Sequence, residues 1–251
     1  MTGIIDAHGH LGAWFAFAIP DSSTESLVRV MDACGVATMC VSHLLAIGPD
    51  SRAGNALLLE EIARFPGRFL GYAVYDPHDP EAARRTADLL DAPGVIGLKL
   101  HPDTHEHALD GPAYEPAFHL AAERGCVVLA HGMFGSPWCG PAHFATVAAR
   151  HPAVKLLMGH AGLLPAGFPA AAEVASTYPN VTLELCGSRT TARHVAWLVD
   201  AVGADRMVFG SDALFLDLRV GVGRVQLAPI DQADRDLLLF GTMTRLLEGC
   251  R

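Results

Sequence analysis

Short runs of Val, Ile, Leu and Met alternate along the chain with longer segments rich in Ala, Leu, Glu and Arg. The short runs predict strands at residues 3–7, 37–42, 69–75, 95–100, 126–130, 154–158, 181–185 and 206–209. They are nearly continuous apolar stretches, as expected of parallel strands covered on both faces. The segments between them have helical character. Thr24-Glu25 opens a helix that stops at Gly35, and the next runs from Asn55 to Arg64, ahead of Pro66. Asp79-Pro80-Glu81 starts another with proline in its first turn. Further helices are predicted over 114–123, 141–150, 169–176, 191–202, 231–240 and 242–247. Gly221-Val222-Gly223 follows no clear strand and reads as a loop. About eight strand–helix units with no second domain predict a closed parallel (β/α)8 barrel, a TIM barrel, spanning residues 1–251. An open doubly wound sheet fits less well, because no Gly-x-Gly-x-x-Gly follows the first strand.

Composition narrows the class. The 251 residues are near the ~250 typical of this barrel. A net charge of -9 argues against nucleic acid or an anionic membrane as partner. A small anionic substrate stays open, because a bound cation inverts the local field of an acidic protein. The six cysteines include no Cys-x-x-Cys pair, and most sit in apolar runs as small buried hydrophobes. That usage, the lack of a signal-peptide pattern and the lack of a ~20-residue apolar run lead to the expectation of a cytoplasmic protein.

The chemistry lies in polar residues at strand ends. The first strand runs into His8-Gly9-His10, whose two imidazoles share a face of an extended chain. The fifth strand ends in His131, the sixth in His160 and the eighth in Asp212. The C-terminal ends of barrel strands converge on one mouth, where active sites lie. A lone histidine at a strand end is more often a hydrogen-bonded structural residue, and Asp212 alone could cap a helix. Five such residues from separated strands outweigh that reading. Nitrogen and oxygen donors without thiolate suit zinc, and also manganese, iron or cobalt.

With these residues in place, the sequence resembles the amidohydrolase superfamily over nearly its whole length. The resemblance runs through Ile5-Asp6-Ala7-His8-Gly9-His10, Gly97-Leu98-Lys99-Leu100-His101-Pro102, His131-Gly132, Gly159-His160-Ala161-Gly162 and Phe209-Gly210-Ser211-Asp212. The similar branch includes aminocarboxymuconate-semialdehyde decarboxylase and resorcylate decarboxylases. The resemblance implies one divalent metal ion, zinc first, held by His8, His10, His131 and Asp212. Asp212 would also take a proton from the metal-bound water, and His160 would act as a base or orienting group. A second metal bridged by a carboxylated Lys99 is not expected in this branch.

Other residues carry weaker expectations. Lys99 and His101 lie two apart on the fourth strand, and Lys99 can pair with a substrate anion or with Asp212. Arg189 after the seventh strand can bind a carboxylate, with a surface role as the alternative. Trp14, with Phe15 and Phe17, can roof the mouth, pack the barrel rim or form a homodimer contact. Glu184 lies within the seventh strand, and one residue of register decides its face. His105-Glu106-His107 reads as a solvated polar loop, and His43 as a structural or mouth residue. The expected reaction is metal-assisted hydrolysis of a small amide, lactone or ester. The alternative is non-oxidative decarboxylation of a small carboxylic acid at the same site, with His160 helping to protonate the carbon. A barrel that only binds a ligand or partner is a third reading.

Overall fold

The computed structural model describes residues 3–250. Eight parallel strands follow one another around a nearly closed barrel in sequence order: β1 (Ile4–Leu11), β2 (Val36–His43), β3 (Phe69–Val74), β4 (Val95–Leu100), β5 (Val127–Ala130), β6 (Lys155–Met158), β7 (Val181–Glu184) and β8 (Met207–Val208). The helices are α1 (Thr24–Cys34), α2 (Leu44–Ile47), α3 (Ser51–Arg64), α4 (Ala82–Leu90), α5 (Pro102–His105), α6 (Glu115–Arg124), α7 (Pro141–Arg150), α8 (Phe168–Thr177), α9 (Ala192–Val202), α10 (Leu218–Gln226), α11 (Gln232–Asp236) and α12 (Thr242–Leu247). The fold is an α/β TIM barrel, as the alternating pattern predicted. Among the described residues, no helix is long and apolar enough to cross a membrane.

The seam between β8 and β1 is closed by backbone. The Ala7 N–H donates to the Phe209 carbonyl at 2.9 Å, and the Ser211 and Asp212 N–H groups both donate to the His8 carbonyl. These bonds bring the residues after β8 against His8 and its neighbours in β1. Alternation along the strands then sorts the core. In β5, Val127 and Leu129 join one cluster with Ala7, Tyr72, Leu157 and Val208, while Val128 and Ala130 join the larger cluster that includes the helices. Met243 of α12 packs into the first cluster.

Three local expectations are corrected. Strand β1 does not end at Ala7 but runs to Leu11, with a shift in its pairing to β2 between Asp6 and Gly9. His8 and His10 are therefore strand residues held by a neighbouring strand. Gly221-Val222-Gly223 lies inside α10, where Gly221 and Val222 are buried and Gly221 sits close to Phe209 and Ser211. The low helix propensity of its two glycines hid the helix. The segment after β4 begins with the short helix α5, and His105 is buried there, bonded to the Tyr114 hydroxyl and the Ile47 carbonyl. It is a satisfied core histidine, not a solvated one.

Close strand packing makes Gly97 sensitive. A Cβ there would lie 2.0 Å from the Val127 carbonyl oxygen of β5. Gly97→Ala is expected to destabilise the fold by about 3 kcal/mol through overpacking, measured as a lower denaturant midpoint. An unchanged midpoint would show that β4 and β5 can part at no cost.

Candidate metal centre at the barrel mouth

His8 and His10 enter the mouth from β1, and Asp212 enters from the turn after β8. His10 Nε2 lies 3.1 Å from Asp212 Oδ1, and His8 Nε2 lies 3.6 Å from the same oxygen. The donor atoms of these three residues lie within 4.8 Å of one another. The other nitrogen of each imidazole is engaged. His8 Nδ1 meets Glu184 Oε2 at 2.7 Å, and His10 Nδ1 meets Ser42 Oγ at 3.1 Å. Both rings are thereby fixed with Nε2 toward Asp212. A histidine that binds metal through one nitrogen has its other nitrogen held in this manner. The donor set fits a divalent cation.

Glu184 organises the mouth from below. Its Oε2 accepts from His8 Nδ1, from the His160 backbone N–H at 3.0 Å and from Cys186 Sγ at 3.0 Å. Its Oε1 accepts from the Cys186 N–H. Burial raises the Glu184 pKa against these donors. Gly210 makes room for it, since a Cβ there would fall 2.1 Å from Glu184 Oε1. The sequence left the face of Glu184 open; the β7 register turns it inward. Cys186, read from sequence as a buried hydrophobe, also lies here, with Sγ 2.8 Å from His160 Nδ1. Burial keeps its pKa well above the usual thiol range, so it acts as a neutral hydrogen-bonding group. The group His8, His160, Glu184 and Cys186 is closed on itself by these bonds.

Two mouth residues sit in the left-handed backbone region, His160 at φ 61° and Asp212 at φ 61°. Non-glycine residues persist there only where surrounding contacts fix them. His160 is fixed through its N–H to Glu184, and Asp212 through its N–H to the His8 carbonyl.

His131 is placed differently from the other expected ligands. Its Nδ1 lies 2.9 Å from His160 Nε2, and its Nε2 lies 3.3 Å from Asp103 Oδ2. His101 stacks on the His131 ring at 4.2 Å. Asp103, missed in the sequence, also accepts from Ser136 Oγ and Cys139 Sγ. Partial burial opposes its charge, but the bonds from His131, Ser136 and Cys139 bring its pKa down to about 2. The structure thus gathers His8, His10 and Asp212 and sets His131 beside them, against His160.

Lys99 is buried at the centre, with Nζ 2.8 Å from His8 Nε2. Burial lowers its pKa to about 8, while the Asp212 carboxylate pulls the other way. Burial also opposes ionisation of Asp212. The hydrogen bond from His10 and the positive charge of Lys99 outweigh it and hold the carboxyl below its ordinary value. Burial keeps His8, His10, His101 and His160 neutral, the form in which imidazole binds metal. Trp14 is half-buried and packs on Phe215, whose ring lies 5.2 Å from that of His10. Phe17 also packs on Phe215. Arg189 is exposed on the loop after β7 and takes part in none of the hydrogen bonds or ion pairs of the cluster.

The amidohydrolase family pattern matches residues 5–248. The chain belongs to the amidohydrolase family. It is 26% identical to gamma-resorcylate decarboxylase of Polaromonas sp. (strain JS666 / ATCC BAA-500), over 88% of this chain and 86% of that one. Solved structures share the fold. A dihydroxybenzoic acid decarboxylase from Polaromonas sp. JS666, with bound manganese and the inhibitor 2-nitroresorcinol, superposes with a TM-score of 0.78 at 20% identity, covering 100% of this chain and 98% of that one. A 2,6-dihydroxybenzoate decarboxylase from Rhizobium gives 0.75 at 19% identity and 99% coverage of both chains. A 5-carboxyvanillate decarboxylase from Sphingomonas paucimobilis gives 0.73 at 18% identity, covering 92% and 84%.

These relatives correct the expected reaction. Hydrolysis was inferred from a histidine and aspartate set that serves either chemistry, and the relatives are decarboxylases. The metal in the dihydroxybenzoic acid decarboxylase is manganese, where zinc was the first expectation.

Glu184→Gln tests how the mouth is held. It replaces an acceptor-only hub with a group that must also donate. Metal affinity is expected to fall by about 10–100-fold with the fold retained, read by competition with a chromophoric chelator. Wild-type affinity would show that His8 needs no partner at Nδ1.

Proposed function

We propose that this chain is a metal-dependent, non-oxidative decarboxylase of a small aromatic acid of the hydroxybenzoate class. The observation that carries the reading is the 26% identity to gamma-resorcylate decarboxylase across 88% of the chain. The aromatic side of the mouth supports it. Phe215, backed by Trp14 and Phe17, presents a ring beside His10, a surface suited to an aryl substrate.

His8, His10 and Asp212 would hold the divalent cation, with His131 beside them and bonded to His160 and Asp103. The donor set admits manganese and zinc. When bound, the cation supplies a Lewis acid for the oxygens of the substrate. Lys99, with a pKa of about 8, is mostly charged at neutral pH and draws the anionic substrate into a buried site. The bond between ring carbon and carboxylate carbon breaks, and its electron pair remains on the ring carbon. Carbon dioxide leaves, and the ring carbon takes up a proton. His160 handles that proton: Cys186 engages its Nδ1 and His131 Nδ1 lies 2.9 Å from its Nε2, so the proton reaches the ring carbon from this histidine pair at the mouth. Asp212, its pKa held below the ordinary value, would hold the cation and does not compete for the proton.

The test is a panel of hydroxybenzoic acids with manganese- or zinc-replete protein. Carbon dioxide is expected with at least one of them, and in heavy water deuterium should appear at the vacated carbon. Failure to release carbon dioxide from any of them would overturn the reading. Asp212→Asn is expected to lose bound metal and turnover with the fold intact. His160→Asn is expected to lower kcat by about 10²–10⁴ with metal retained, the usual cost of removing a general acid. Wild-type turnover in either variant would remove that residue from the reaction.

A further inference from the structure

The outer helical layer carries a second convergence of donors. Glu115 and His119 lie four residues apart on α6 and so share a face. His151 immediately follows α7. Glu115 Oε1 lies 3.0 Å from His151 Nε2 and 3.5 Å from His119 Nε2, and the three donor atoms lie within 4.8 Å of one another. Donors around a tetrahedral zinc at 2.0–2.1 Å are separated by roughly 3.3 Å, so these side chains need little rearrangement to enclose an ion.

The His151 ring supplies an independent sign. Its side chain is only 9% exposed and packs on Phe118. Its Nε2 is buried and aimed at Glu115, yet no aligned hydrogen bond satisfies it. Buried polar atoms are rarely left in that state, and each calls for a partner such as water or an ion. The second oxygen of Glu115 is held by Arg150 Nη1 at 3.1 Å, and the same nitrogen bonds the Asp110 carbonyl. Arg150 thereby fixes the carboxylate with Oε1 toward the two imidazoles. Its positive charge also opposes a cation, so this position binds more weakly than a site without a guanidinium beside it.

We propose that Glu115, His119 and His151 form a surface site for zinc or a similar imidazole-preferring divalent ion, one that ties α6 to α7. The site stands on its own residues and is independent of the decarboxylase reading. Its donors are two nitrogens and one oxygen, with water free to complete the shell.

The test is equilibrium dialysis of the protein against zinc alone, counting ions per chain. Wild-type protein is expected to take up about one more ion than His119→Ala, as one three-donor site implies. His119 has a side chain 65% exposed, so its removal leaves the packing intact. The variant should keep wild-type turnover and metal at the mouth. Glu115→Gln should lose the same ion. Thermal unfolding should show a zinc-dependent rise in Tm for wild type that is smaller in His119→Ala. Equal zinc uptake by wild type and His119→Ala would overturn the site, whatever the fate of carbon dioxide release.

Discussion

A single buried carboxylate sets the shape of the mouth. Glu184, at the end of β7, binds the His8 ring from β1, the His160 backbone after β6 and both the N–H and the thiol of Cys186. Three strand ends are thus tied to one side chain. A buried carboxylate is costly to ionise, and it is retained where several donors surround it. Removing a donor would expose its charge, and removing the carboxylate would free every donor. The contact also explains Gly210, because a side chain there would occupy the carboxylate's space. The seam bonds from the Ser211 and Asp212 N–H groups to the His8 carbonyl then fix Asp212 against the same imidazole that Glu184 orients.

The mouth balances burial against charge. Burial alone would neutralise Asp212, Lys99 and Glu184. Asp212 instead stays below its ordinary pKa because His10 bonds it and Lys99 faces it, whereas Lys99 drops to about 8. The imidazoles remain neutral between them. The result is a set of lone pairs and one anion directed at a common point, with a cationic side chain alongside. Such a set is costly to assemble and favours a small cation bearing more than one charge. The left-handed backbones at His160 and Asp212 fit the same account, since contacts to the hub and the seam hold them in an otherwise sparse conformation.

Much of this was legible in the sequence, for identifiable reasons. The period of apolar runs gave eight strand–helix units, because parallel strands covered on both faces are continuously apolar. His8, His10 and Asp212 stood out as polar residues at strand ends. Their partners did not. Glu184 sits inside a strand, where one residue of register exchanges core for mouth, and nothing in Val181-Thr182-Leu183-Glu184-Leu185 fixes that register. Asp103 lies on a short helix whose one histidine, His105, read as solvated, because the helix is four residues long and too short to show a period. Cys186 had the composition of a core residue. Helix α10 was hidden by the low helix propensity of Gly221 and Gly223. Legibility failed where a residue's meaning depended on a contact distant in sequence.

The same limit explains why the reaction class could not be read from the ligands. A cation between two imidazoles and a carboxylate would activate water or a substrate oxygen equally well, so such a set points to a metal and not to a reaction. Discrimination must come from what else faces the cation. Here that is an aromatic wall at Phe215, a buried ammonium at Lys99 and a neutral His160 whose Nδ1 meets a thiol. An aryl acid needs a flat apolar contact, a countercharge for its carboxylate and a group that can bring a proton to carbon. The mouth offers all three beside the ligands, and that surrounding set agrees with the chemistry named in the relatives.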